Sequence, residues 1–313
     1  MRRVYCDLSA DMAAAGDTDS AGHSRRAAAR AAMGIAVGLA GTTFGLPGTG
    51  TRWYALKRAA RALAAHRDLE PAVRRELVRW IVDPLDTLRH AEFGFFRRHA
   101  GEPERVLDVS SPRLLLAELA ARAGGLDAVN PHAPDLDLTA AVLAACGLAD
   151  DVRLEPWTAD QLSRWGRRYP LVTCMSVLEH IPHDTPALEA IWDRVDGGGT
   201  LLLSVPCAAS AYEEWLDLDE YGLVPPEDGH WFGQRFYDEN ALRDRIFGVT
   251  GEPVAVAVFG ERRSGTFDND RRRRLRGDAC VEWGALSTRM GYRAWRNVRD
   301  LPGVGVAALA FRR

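Results

Sequence analysis

The chain has 313 residues, enough for one large domain or two ordinary ones with a full core and no need of disulfide or metal staples. It is 47% hydrophobic and 27% charged, which excludes a wholly disordered chain. Forty basic residues against 43 acidic ones leave a formal net charge of -3, so no global field favours nucleic acid as a partner.

Residues 1 to about 50 are rich in Ala, Gly, Asp and Ser and read as a mobile arm. Within it Ser24-Arg25-Arg26 precedes an apolar stretch, Ala31 to Leu46. Gly34, Gly38, Gly41 and Gly45 break that stretch, it is too short to span a bilayer, and no cleavage site follows. The five cysteines are odd in number and show no C-x-x-C spacing. A cytoplasmic protein with no membrane partner is therefore expected.

Residues 51 to 103 read as a helical cap. Tyr54, Leu56, Ala60, Leu63 and Ala64 recur at helical spacing, a second helix opens at Pro71, and a third runs from about Pro84 to Gly101. From residue 104 to the end, strand and helix alternate. Strands are expected at Arg105–Val109, Leu126–Val129, Val152–Leu154, Leu171–Met175 and Thr200–Val205, the last closed by Pro206. Helices are expected from Ser111-Pro112, near Thr139 to Cys146 and from Pro186 to Val195. Such β-α units specify a mostly parallel sheet with helices on both faces and a ligand site at its topological switch point. An aromatic, acid-rich segment at about 207 to 240 reads as a lid. A helix at Asn240 to Phe247 and late strands at Val254–Phe259 and Val304–Phe311 follow. The last two bracket a polar stretch with the run Arg271 to Arg274.

Three segments carry a resemblance. Glu104-Arg105-Val106-Leu107-Asp108-Val109 resembles the first motif of class I S-adenosylmethionine (SAM) methyltransferases. Leu171 to Pro182, with Glu179-His180-Ile181-Pro182 at its end, is similar to their fourth-strand motif, and Asp196-Gly197-Gly198-Gly199 to Pro206 to their fifth-strand motif. The match covers roughly residues 85 to 260. It implies a Rossmann-like α/β fold with a seven-stranded sheet, an antiparallel last pair, and an acceptor-side lid.

The cofactor positions depart from that family. Its glycine-rich first loop is here Ser110-Ser111-Pro112-Arg113-Leu114, so side chains are expected where bare backbone should lie. The acid that grips the ribose is replaced by Asn130, and the adenine-side Asp by Thr158, or is Asp160 if the register shifts by two. Exchanging two carboxylates for neutral groups costs about 1 to 4 kcal/mol of binding. Two site readings result. With no cofactor, Ser110, Ser111, Arg235 and Arg262 hold an anionic small molecule, and His230, His180, Asp108 and Tyr237 move its proton. With SAM, Asp108, Ser110, Asn130, Thr158 and Ser176 hold the cofactor. The expected function is a small-molecule enzyme, placed in natural-product biosynthesis by analogy of fold, that closes a ring intramolecularly with loss of an anion. The alternatives are SAM-dependent methylation of a small acceptor and a silent subunit supporting a partner protein.

Overall fold

The computed structural model of the chain describes residues 1–5, 36, 48–82, 84–85, 88–219, 222, 225–275 and 290–313. It opens with strand β1 (Arg2–Tyr5), then helices α1 (Thr49–Ala65), α2 (Pro71–Val82) and α3 (Arg89–His99). Strand β2 (Val106–Val109), helix α4 (Arg113–Ala120), strand β3 (Leu126–Val129), helix α5 (Ala133–Ala145), and strands β4 (Val152–Glu155) and β5 (Tyr169–Met175) follow. Next come α6 (Asp184–Trp192), β6 (Val195–Ala208), β7 (Tyr212–Leu216) and β8 (Trp231–Phe236). Helix α7 joins Glu239–Ala241, a π-type turn Leu242–Phe247, and Gly248–Thr250. The chain ends with β9 (Ala255–Glu261), α8 (Thr266–Leu275), β10 (Tyr292–Trp295) and β11 (Val304–Arg312).

The main sheet runs β10-β9-β11-β6-β5-β2-β3-β4. Strands β2 to β6 are parallel, and β11 runs antiparallel to both β6 and β9. This is the Rossmann-like methyltransferase order, with β10 added as an eighth strand on the β9 edge. That strand comes from the segment that reads as polar in sequence. Alternate residues feed two faces: Val106, Leu171 and Leu202 pack under α1 to α5, whereas Leu107, Val172 and Leu201 pack under α6 and α7. A parallel sheet needs both faces covered, and these two cores cover them. Strand order reverses between β2 and β5, which sets the switch point at their carboxyl ends.

Several boundaries differ from expectation for local reasons. Helix α5 begins six residues before Thr139 because Pro134 and Asp135 suit a first turn. Strand β6 runs through Pro206, since pairing with β5 stops at Ser204 and residue 206 needs no partner there. The lid is a second sheet, β1-β7-β8, in which Arg2 to Tyr5 lie parallel to Glu213 to Leu216. Residues 2–5 are thus strand rather than mobile arm; residues 6–35 and 37–47 of that arm lie outside the described residues. Arg2 and Arg3 stack over Trp215 and Tyr212 at 3.9 and 3.8 Å, which pins β1 to the lid. Arg271 is bound to Glu214 of β7 at 2.9 Å, so the arginine run begins as an anchor of α8 on the lid. Among the described residues no helix is long and apolar enough to cross a membrane.

Candidate active site

The turn after β2 is held from three sides. Asp108 is wholly buried; its carboxylate accepts the Thr173 hydroxyl at 2.6 Å and the Ser111 amide at 2.9 Å. Burial pushes its pKa up to about 6, and these donors work against that rise. Asp108 therefore braces the turn to β5 through Thr173 and Ser111. Ser110 takes the left-handed conformation, φ 52°, that a glycine would adopt freely. Its amide and hydroxyl both reach the Val129 carbonyl, at 2.8 and 3.1 Å. Ser111 turns the other way, its hydroxyl oxygen accepting the Met175 amide at 2.9 Å.

This geometry corrects the sequence reading of the loop. The two serines fold back onto β3 and β5 instead of projecting over the backbone, and the glycine-like turn survives the loss of glycine. They are equally unavailable as hooks for an anion: both amides are engaged, the Ser110 hydroxyl donates to Val129, and the Ser111 hydroxyl, which accepts from Met175, is also bonded to Asp108.

At the end of β3, Asn130 organises the next turn. Its Nδ2 donates to Asp135 at 3.0 Å and its Oδ1 accepts the His132 amide at 3.0 Å. A carboxylate does stand beside this strand end, then, supplied by Asp135 from the first turn of α5. Arg113 bonds Asp135 and Thr139 and reaches Glu76 of α2 at 3.0 Å. Burial alone would raise the Glu76 pKa; donors from Arg79, Arg113 and Trp80 bring it down to about 2. Thr158 caps the 3-10 turn Ala159–Arg164, paired with Gln161, while Asp160 is exposed.

On the other side of β5 the chain gathers its buried acids. Ser176, also left-handed at φ 49°, donates its hydroxyl to Glu92 of α3 rather than facing the nucleoside side. The Ser204 hydroxyl donates to the same oxygen of Glu92 at 2.6 Å, and Arg89 lies 3.4 Å from the other. Glu179, 2% exposed, has one carboxyl oxygen, Oε2, without a hydrogen-bond partner. Burial pushes its pKa up to about 8. His180 places Nδ1 2.7 Å from the Gly233 carbonyl of β8, which assigns the proton to that nitrogen. Its Nε2 is 3.8 Å from Glu179. Burial pushes the imidazole pKa down to about 4, so the ring is neutral at pH 7.

The remaining expected residues lie elsewhere. Arg235 is 8% exposed and closed between Asp184 at 2.7 Å and Glu213 at 2.9 Å. Tyr237 donates to Asp184 at 2.7 Å, and Arg245 bonds the same carboxylate. Asp184 is thus a hub that ties the lid to α6 and α7, and Arg235 and Tyr237 are structural members of it. His230 sits in the turn before β8 with Nδ1 2.9 Å from the Asp228 carbonyl, a bond that holds it in its own turn. Arg262 is exposed and donates to the Tyr292 carbonyl at 3.0 Å, clamping β10.

Sequence reasoning passes over Glu92 and Asp135. Glu92 falls on the apolar stripe of α3, four residues after Leu88 and three before Phe95, and a charge on a buried stripe is the signal that marks it.

No protein-family model matches the chain, and no curated protein is similar to it in sequence. Among solved structures it is similar to coclaurine N-methyltransferase bound to N-methylheliamine and S-adenosylhomocysteine (SAH), at 14% identity over 72% of this chain and 74% of that one, TM-score 0.44. It is also similar to the [4+2]-cyclase SpnF, at 13% identity over 86% and 96%, TM-score 0.46. A third is geranyl diphosphate C-methyltransferase from Streptomyces coelicolor A3(2), in complex with Mg2+, geranyl diphosphate and SAH, at 15% identity over 80% and 87%, TM-score 0.45. SAH is present in two of these three structures, which corrects the expectation that no cofactor is used.

Proposed function

We propose that the chain is a SAM-dependent methyltransferase acting on a small-molecule acceptor. The observation that carries this reading is the turn at Ser110, which keeps a glycine's left-handed backbone and directs both neighbouring serine side chains back into the sheet. A cradle of that shape accommodates a cofactor that needs close backbone approach. Asp108 would hold the turn in place, and Asn130 with Asp135 would offer the polar groups for a ribose. SAM, when bound, supplies an electrophilic methyl group.

The acceptor side lies where α3, the end of β5 and β8 meet. His180 presents Nε2 as its basic atom, because Gly233 fixes the proton on Nδ1. That nitrogen takes the acceptor's proton, and Glu179 behind it stabilises the resulting imidazolium when ionised. Glu92, held by Ser176, Ser204 and Arg89, fixes α3 over the strand ends and excludes water from the floor of the site. The anion-holding roles expected of Arg235 and the serines have no place in this arrangement, since each is already neutralised or bonded.

Calorimetric titration with SAH tests the reading. A dissociation constant of about 1 to 100 micromolar, near -8 kcal/mol at the tighter end, is expected. Absence of binding at about 1 mM ligand would remove it.

A further inference from the structure

Two carboxyl groups are buried together where the cap helix meets the end of β5. Glu92 and Glu179 are each 2% exposed. Both neighbour Ser176, and the Glu92 charge acts on Glu179. Glu92 is satisfied by two hydroxyls and by Arg89. Glu179 is held less fully: Ser176 and its own amide act on the carboxyl, but its Oε2 has no partner, and Oε1 has His180 Nε2 at 3.8 Å. The charged groups facing Glu179 are Arg89 and Glu92 from α3 and its own neighbour His180, which also feels Arg271 of α8. From β8 comes a carbonyl, that of Gly233. A buried carboxyl oxygen left without a donor is costly, so a ligand that brings a donor recovers that cost.

We infer that the methyl acceptor is an amine, docked as its ammonium ion on Glu179 and His180. The inference rests on the proposal that the acceptor binds here, and it reverses the expectation of an anionic guest. An anion would face two buried carboxyl groups, with Arg89 beside them and Arg271 acting on His180 among the described residues. A neutral hydroxyl would satisfy one oxygen but would not favour ionisation of Glu179. An ammonium donates to that oxygen and stabilises the carboxylate that forms when Glu179 gives up its proton. The proton balance is simple. At neutral pH Glu179 carries a proton, and docking of the ammonium sends that proton to solvent. The ammonium N–H bond then breaks, its proton forms an O–H bond on Glu179 directly or through His180 Nε2, and the electron pair stays on nitrogen.

The test titrates the full chain with 2-phenylethylamine, 2-phenylethanol and phenylacetate, three probes of like size and different charge. Binding of the amine at least about tenfold tighter than either other probe, with net proton release at pH 7 in two buffers of different ionisation enthalpy, is the expected result. Affinity for the amine rises with pH up to about 8 and then levels off. Glu179→Gln reduces the preference to about threefold or less. Equal or tighter binding of the alcohol or carboxylate, or no binding of any probe at about 10 mM, overturns the inference. Should the variant fail to melt cooperatively, the pH series on the unaltered protein decides the same question: affinity for the amine that does not rise between pH 6 and about 8 overturns the inference. Amine selectivity without SAH binding leaves the ammonium site standing and removes methyl transfer; SAH binding without amine selectivity does the opposite.

Discussion

Glu92 on the cap helix accepts the hydroxyl of Ser204 on the fifth parallel strand at 2.6 Å, 112 residues away in the chain. That bond, with the one from Ser176, turns an acid on an otherwise apolar helix stripe into the clasp between cap and sheet. Glu92→Ala removes the acceptor of the buried Ser204 hydroxyl and the half-buried Ser176 hydroxyl, and the carboxylate beside Arg89. Loss of about 2 to 4 kcal/mol of stability in urea unfolding is expected. A loss under about 0.5 kcal/mol would show that the clasp contributes nothing.

The Asp184 hub gives the second prediction. Burial raises the pKa of this carboxyl, but Arg245, Tyr237 and Arg235 outweigh it and hold the pKa below the usual range. Its contribution to stability is therefore present above the ordinary carboxylate pKa and lost as pH falls through the lower folded value. Asp184→Asn leaves Arg235 buried and short of charge, at a cost of about 3 kcal/mol or more, and flattens the acid limb of the melting-temperature profile. A variant with unchanged acid sensitivity would contradict the assignment.

Glu179 has the opposite sign. Its folded pKa, about 8, lies above the value for an unfolded chain, so the protein loses stability as pH rises from about 4.5 to 8 and the loss is complete above that. Glu179→Gln abolishes this loss. The variant should melt at least about 2 °C above the unaltered protein at pH 8.5 and close to it at pH 5. Equal melting at both pH values would place the carboxyl in a more solvated setting than the structure gives it.

The sheet is legible in the sequence because its strands are short, buried and punctuated: Leu126 to Val129 is bounded by Gly125 and by the turn at Asn130, and the structure places it at those residues. The candidate site is less so. Loss of glycine at Ser110 and Ser111 predicts obstruction, since sequence gives side-chain identity but not direction; both hydroxyls turn into the sheet. Arg235 and Tyr237 stand out in the sequence for charge and proton chemistry, yet their partner Asp184 comes from a helix about 50 residues earlier, a pairing that spacing cannot reveal. Asn130 stands where an acid is expected, and the acid arrives from Asp135 because a helix starts earlier than its apolar pattern suggests.

Ser110 offers a local check on the turn. Ser110→Gly relieves a left-handed residue while removing one hydrogen bond, two effects of about 1 kcal/mol each and opposite sign, so stability should change by less than about 1 kcal/mol. Ser110→Val adds a β-branched residue at positive φ and should cost about 1 to 3 kcal/mol. Equal stability of the two variants by urea unfolding would contradict the left-handed turn.

Hydrogen exchange read by mass spectrometry, with and without SAH, locates the nucleoside directly. Slower exchange is expected in peptides spanning Asp108 to Leu114 and Asn130 to Leu136, with no change in Ala255 to Glu261 at the far side of the sheet. Binding of SAH that leaves the first two segments unprotected would contradict the account.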